Sequence, residues 1–248
     1  MFTSKHHLHE NLGVNLEIAT FFVDRKVPAD NFYWKGKYLY VAGGTGFLFI
    51  PLFFDLQHKC GVNLEMILNE EYVQLMEHIL NSAALHEFKQ ITFEEHLSNC
   101  KAIVKNHLKN LALYDDLVEY FKDDDLKKYK NLGTNSKALN RGDTLLFILC
   151  FLDIPENITN EIIEKWYALV PSFLLMDDVM DLNDDKEKNE ENAIIDFGPG
   201  NKGIENALKF LGVQFGRLKA VNPKLGEYFE SSLERKLQTP YLQSLLKS

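Results

Sequence analysis

Residues 173–185 read Phe173-Leu-Leu-Met-Asp-Asp-Val-Met-Asp-Leu-Asn-Asp-Asp185 and put five carboxylates at the end of a strongly apolar stretch. At about 100° per residue, Ile163, Trp166, Val170 and Phe173 share one helical stripe, and Asp177 and Asp181 continue it one and two turns later. The face that should pack inward therefore turns acidic. Carboxylates directed at a core are costly unless they are paired or bind a cation. Several oxygen ligands on one helix suit a hard cation such as Mg²⁺. Acidic side chains at a helix C-terminus also oppose the helix dipole, so a plain solvated end would favour Lys or Arg. The run is read as half of a divalent-metal site, with a solvated acidic loop as the simpler alternative.

Composition frames that reading. The chain has 248 residues, 46% of them hydrophobic, enough for a large core, and a single α-helical domain over 1–248 is the simplest organisation. Its net charge of −9 argues against nucleic-acid binding or general affinity for anionic membranes, while leaving room for a local basic patch that holds an anionic substrate. Cys60, Cys100 and Cys150 are widely spaced and odd in number, which favours a reduced, cytoplasmic compartment. No signal peptide is recognised at the start. The 17 residues Tyr38–Phe54 carry no charge, but Gly43, Gly44, Gly46 and Pro51 favour a turn and a buried helix over stable membrane insertion.

From Gly61 onward the spacing is helical. Leu64, Leu68, Tyr72, Leu75, Ile79 and Ala83 form one stripe. Thr92 and Glu95 offer a capping box for a helix over 92–121, with Leu97, Cys100, Val104, Leu108 and Leu111 as its stripe. Asp115 falls at the centre of that stripe and Glu119 one turn on, which predicts a second inward-facing carboxylate pair. The alternative is that the helix reaches the surface there, since Asp123, Asp124 and Asp125 follow at once. Further helices are predicted over Ser136–Leu152, after Pro155 with a possible kink at Pro171, along Ile204–Leu218, and over Leu225–Leu237. The polar stretch Asn183–Gly203 reads as a mobile flap beside the acidic helix. Residues 1–35 are poorly defined by pattern, and Asn31–Val41 could form a small hairpin.

An all-α chain with Asp-Asp-x-x-Asp closing an apolar helix resembles the class I isoprenoid synthases, especially the polyprenyl synthetase-like branch and its terpene synthase relatives. The resemblance implies a helical bundle around a central cavity, in which aspartates on facing helices hold Mg²⁺ against the diphosphate of a prenyl diphosphate substrate. Asp177, Asp178 and Asp181 match the family's second aspartate-rich motif and would be the catalytic metal ligands. Lys137, forty residues before Asp177, resembles the substrate lysine, with Arg141 one turn further. Lys186 and Lys188 resemble a flap lysine, and Arg235 and Lys236 could close the site. Phe53, Phe147, Trp166 and Phe173 are candidate cavity walls. Asp55, 122 residues before Asp177, falls roughly where the first motif would lie. The chain departs from the pattern there: one carboxylate stands alone, the following arginine pair is missing, and Leu174 replaces the glutamine of the second motif. Either Asp55 or the Asp115/Glu119 pair would have to face Asp177. The implied activity is a prenyl transferase or lyase in which metal neutralises the leaving diphosphate and an apolar cavity keeps water from the carbocation. The missing first motif slightly favours ionisation of a single substrate. The alternative is a non-catalytic protein of the same fold serving as a binding module or partner subunit. A homodimer is possible because similar folds often pair.

Other motifs fail on inspection. An EF-hand register starting at Asp181 puts Lys186 where glycine is needed and Asn192 where glutamate is needed. Val41-Ala-Gly-Gly-Thr-Gly-Phe-Leu-Phe49 resembles a dinucleotide turn, but Phe49 takes the place of the third glycine and no alternating strands and helices follow. Asp196-Phe-Gly198 stands without other kinase motifs. His6, His7 and His9 read as a disordered tail rather than a metal site.

Overall fold

The architecture follows from helical stripes that are joined by asparagine and threonine caps. The structure is a computed structural model and describes residues 3–122 and 128–246, apart from the Thr45 side chain. Its main helices are α1 (Leu16–Asp24), α2 (Thr45–Lys59), α3 (Leu64–Ile67), α4 (Glu70–Glu87), α5 (Phe93–Lys105), α6 (Leu111–Tyr120), α7 (Glu156–Lys188), α8 (Gly200–Val221), α9 (Pro223–Leu237) and α10 (Pro240–Leu245). Short 3₁₀ turns cover Phe32–Trp34, Lys137–Asn140, Asp143–Phe151 and Ala193–Phe197. The fold is all-α as expected, with no strand among the described residues, so Asn31–Val41 forms no hairpin. Trp34 instead buries its ring there and donates from Nε1 to the Tyr40 carbonyl at 2.9 Å.

Helix α7 is the spine. Ile162, Trp166, Leu169, Phe173 and Met176 are buried along it, α8 packs on one side and α2 on another, and α9 packs on α8. Pro171 sits inside the helix, where no N–H is available for the bond to residue 167. Of the predicted α8 stripe, Ile204, Ala207, Leu211, Phe215 and Leu218 are buried and Leu208 is partly buried. The capping box forms: Thr92 Oγ1 accepts from the Glu95 N–H, and Glu95 accepts from the Thr92 N–H at 2.7 Å. Thr92→Ala is expected to cost about 1 kcal/mol, read as a fall of roughly 2–4 °C in the melting temperature.

Several boundaries differ from the sequence reading. The 64–83 stripe is two helices, because the Asn69 side chain caps α4 by accepting from Glu71 N and Tyr72 N. The 92–121 helix also divides. It stops at Lys105 and restarts at Leu111, where the Asn110 side chain accepts from the Leu113 N–H. The break resets the helical phase, so α6 buries Leu113, Leu117 and Tyr120 while Leu111 is exposed. Within Ser136–Leu152 the helical pieces, Lys137–Asn140 and Asp143–Phe151, are 3₁₀ rather than α, and every residue from Asp143 to Phe151 is buried. The N-terminal segment is ordered: Leu8 and Leu12 are buried, and the Leu12 carbonyl accepts from Asn222 Nδ2 at 2.9 Å. The expected flap is largely helix, since α7 runs to Lys188 and Ala193 and Ile194 are buried. No helix among the described residues is long and apolar enough to cross a membrane.

Candidate functional site

A cavity of about 1020 Å³ opens between α2, α4, α5, the 137–145 segment and α7. Small-molecule sites run to roughly 300–1,000 Å³, so this one is large enough for a long hydrocarbon. Its depth is apolar and aromatic: Phe49 comes from α2, Ile79 and Leu80 from α4, Phe93 from α5, and Trp166 and Phe173 from α7. The charged lining consists of Lys137, Arg141, Asp177, Glu87, Glu94 and Glu191.

Part of the predicted site is assembled. Asp177, Phe173, Lys137 and Arg141 all line this one cavity, although they are spread over forty residues of chain. Trp166 is also a wall, as expected. Asp177 is half-buried at the end of the α7 stripe that the spacing predicts.

The other predicted ligands lie elsewhere. Asp178, one residue out of phase, is buried behind the cavity wall. Its Oδ2 accepts from the Ala193 N–H at 2.8 Å, and its Oδ1 faces Arg141 Nη2 at 3.4 Å. Burial pushes its carboxyl up, and the Ala193 N–H and Arg141 oppose that shift. Asp181 and Lys186 are exposed where α7 leaves the core, contrary to the inward-facing assignment of Asp181. Asp55 is fully buried away from the cavity and serves the fold: Asn15 N–H donates to it at 2.7 Å, Lys59 Nζ lies 2.8 Å away, and Asn222 Nδ2 lies 3.3 Å away. Burial raises its pKa and Lys59 pulls it back. Asp115 and Glu119 are exposed, and Glu119 pairs with Lys122. The inward-facing pair is thus corrected, because the stripe was extrapolated across the break at 106–110. The aspartates expected next, Asp123 to Asp125, lie outside the described residues.

Phe53 and Phe147 are core rather than wall. Phe53 packs edge-on to Trp166 with centroids 4.8 Å apart, and Phe147 stacks on Phe121 at 5.8 Å. Arg235 and Lys236 do not line the cavity.

The same cavity is also lined by the C-terminal end of α4 and the start of α5. Glu87 and Glu94 were not predicted, because neither falls in an aspartate-rich run. The signal was the α4 stripe, which carried on one turn brings His86 and Glu87 to the same end as Ala83. His86 also lines the cavity, with its Nδ1 held at 3.3 Å from the Ile91 carbonyl. His96 stacks beside it at 6.0 Å, between Ser82 Oγ at 2.9 Å and Thr144 Oγ1 at 3.0 Å. Burial pushes the His96 pKa down to about 4, so its ring is a neutral part of the wall.

Behind Trp166 lies Asp143. Its carboxylate accepts from Trp166 Nε1 at 2.9 Å, Tyr120 Oη at 2.7 Å and Tyr167 Oη at 2.7 Å. Burial raises its pKa to about 7 against the pull of those three donors. Tyr167 Oη accepts in turn from the Gly133 N–H at 2.6 Å, and a Cβ on Gly133 would come within 2.8 Å of the Tyr120 ring. This network fixes the indole that closes the cavity.

Among the described residues no group of three or more His, Cys, Asp or Glu side chains is placed to hold a metal ion. The mouth instead supplies single carboxylates from separate elements. That arrangement suits Mg²⁺ only as it commonly binds with nucleotides, through one or two carboxylates plus phosphate oxygens and water. In comparisons with known proteins, no family model, no curated protein and no solved structure matches the chain.

Proposed function

We propose that the protein binds a prenyl diphosphate, with its hydrocarbon in the aromatic cavity and its diphosphate at the mouth, and ionises it as a Mg²⁺-dependent isoprenoid enzyme. The observation that supports this most is the convergence of Asp177, Arg141 and Lys137 on the open end of one large apolar cavity. Four carboxylates and two cations line that mouth, so a bare diphosphate would be repelled and a divalent cation would be required with it. Lys137 and Arg141 would neutralise the diphosphate, Asp177 on α7 and Glu87 on α4 would orient its cation, and Trp166, Phe49 and Phe173 would exclude water. When bound, the metal would supply charge neutralisation of the leaving group.

A second reading, a non-catalytic binding module, is favoured by Asp178. That side chain is engaged by Ala193 N and Arg141 and leaves the three-aspartate set unassembled. The two separate on incubation with Mg²⁺ and geranyl, farnesyl or geranylgeranyl diphosphate. Release of diphosphate, lowered by about a hundredfold or more in Asp177→Asn, supports the enzyme. Stabilisation by the ligand without release supports the binding module. Neither release nor stabilisation overturns both readings.

A further inference from the structure

The segment between Trp34 and Tyr40 is built to protrude. Trp34 and Tyr40 are buried anchors joined by the Nε1–carbonyl bond, and Tyr40 Oη donates to Glu77 at 2.8 Å. The five residues between them, Lys35-Gly36-Lys37-Tyr38-Leu39, are all exposed, and Gly36 makes the turn at a φ of 74°. Tyr38 is 97% exposed and Leu39 40%. Beside this loop, Phe88 at the end of α4 is 62% exposed, with its ring 6.4 Å from Phe32. Lys35 Nζ lies 4.5 Å from the Phe32 ring and Lys37 Nζ 5.5 Å from the Phe47 ring. Lys89 follows Phe88 and is exposed.

Tyr38, Leu39 and Phe88 are three of the seven large hydrophobic side chains exposed among the described residues, and exposed lysines flank them. No Asp or Glu occurs from Asn31 to Phe54, and the acid bordering the groove beneath the loop is Glu87. The groove also shares Gly46 and Glu87 with the lining of the main cavity, so the patch adjoins the cavity mouth.

We propose that this patch, Lys35, Lys37, Tyr38, Leu39, Phe88 and Lys89, docks on an anionic lipid bilayer. Lysines near a bilayer are drawn to acidic headgroups, and aromatic side chains settle at the headgroup level. Contact is peripheral and involves no spanning helix. A second copy of the chain is a poorer occupant, because a two-fold contact through this patch would set the same lysines against each other. The proposal does not depend on which ligand fills the cavity.

Co-sedimentation with vesicles free of prenyl lipids tests it. Wild type is expected to pellet with phosphatidylcholine vesicles containing phosphatidylserine, less so as salt rises, and much less with phosphatidylcholine alone. Lys35→Glu/Lys37→Glu should weaken binding by on the order of tenfold or more. Tyr38→Ser/Phe88→Ser should weaken it with the charge unchanged. These positions are exposed, and circular dichroism melting checks that each variant stays folded. No pelleting with either vesicle, equal pelleting with both, or full binding by the charge-reversed variant would overturn the proposal. So would variants that change the sedimentation coefficient of the free protein but not its vesicle binding.

Discussion

Asp143→Ala is expected to destabilise the fold by about 3–5 kcal/mol, because three buried donors lose their acceptor at once. Tyr120 and Tyr167 can rotate their hydroxyls, but the Trp166 N–H points where the carboxylate was. For a chain this size the melting temperature should fall by roughly 10 °C or more. Asp143→Asn keeps the shape and isolates the charge. The folded carboxyl holds its proton up to about pH 7, whereas the ordinary value is 3.8. A raised folded pKa in an acid means that its stabilisation is greatest when protonated. Stability from Asp143 is therefore present below about pH 4 and lost as pH rises to about 7, at no more than roughly 1.4 kcal/mol per pH unit. His96 works the other way: with its pKa near 4, its contribution is present above about 6.5 and lost on acidification. Urea unfolding of wild type and Asp143→Asn at several pH values isolates the first contribution, since His96, Asp55 and Asp178 are common to both. Wild type should lose ground to the asparagine variant between pH 4 and 7; a constant difference contradicts the assignment.

Ala83→Trp should abolish ligand binding without unfolding the protein. Ala83 lines the cavity from α4, and an indole placed there would occupy the space that the proposed hydrocarbon would fill. The affinity for a prenyl diphosphate should fall by at least about a hundredfold, equal to roughly 2.7 kcal/mol. Calorimetric titration reads the loss, and an unchanged far-ultraviolet spectrum shows that the helices persist. Undiminished binding would place the ligand outside the cavity.

Much of the helical order was legible because periodicity and caps agree. The stripe from Ile163 to Phe173 led to Asp177, and the Thr92/Glu95 box fixed the start of α5. What failed was extrapolation across a cap. Asn110 restarts the helix and turns Asp115 and Glu119 outward, whereas Tyr72, Leu75 and Ile79 stay buried across the cap at Asn69. The 3₁₀ stretch Asp143–Phe151 was unreadable as such, because a segment buried on every face has no polar side to reveal its period. Asp178 and Asp181 were assigned together with Asp177, yet helical phase turns Asp178 away from the cavity, and Asp181, although in phase, lies beyond the point where α7 leaves the core. One lies under the Ala193 backbone and the other lies in solvent. Asp55 looked like the remnant of a motif and is the hub joining Asn15, Lys59 and Asn222. The carboxylates that share the cavity with Asp177 were missed because Glu87 and Glu94 belong to different helices, brought together by α4–α5 packing.

The cavity as a diphosphate-lipid site is tested most directly by the melting temperature of the full chain with farnesyl diphosphate, in Mg²⁺ and in chelator. At a hundredfold excess over the dissociation constant, binding adds about 2.7 kcal/mol. The expected result is a rise of roughly 5–10 °C with Mg²⁺, most of it lost in chelator and in Arg141→Gln. No rise with farnesyl diphosphate or with shorter and longer prenyl diphosphates, whether or not Mg²⁺ is present, would contradict the account.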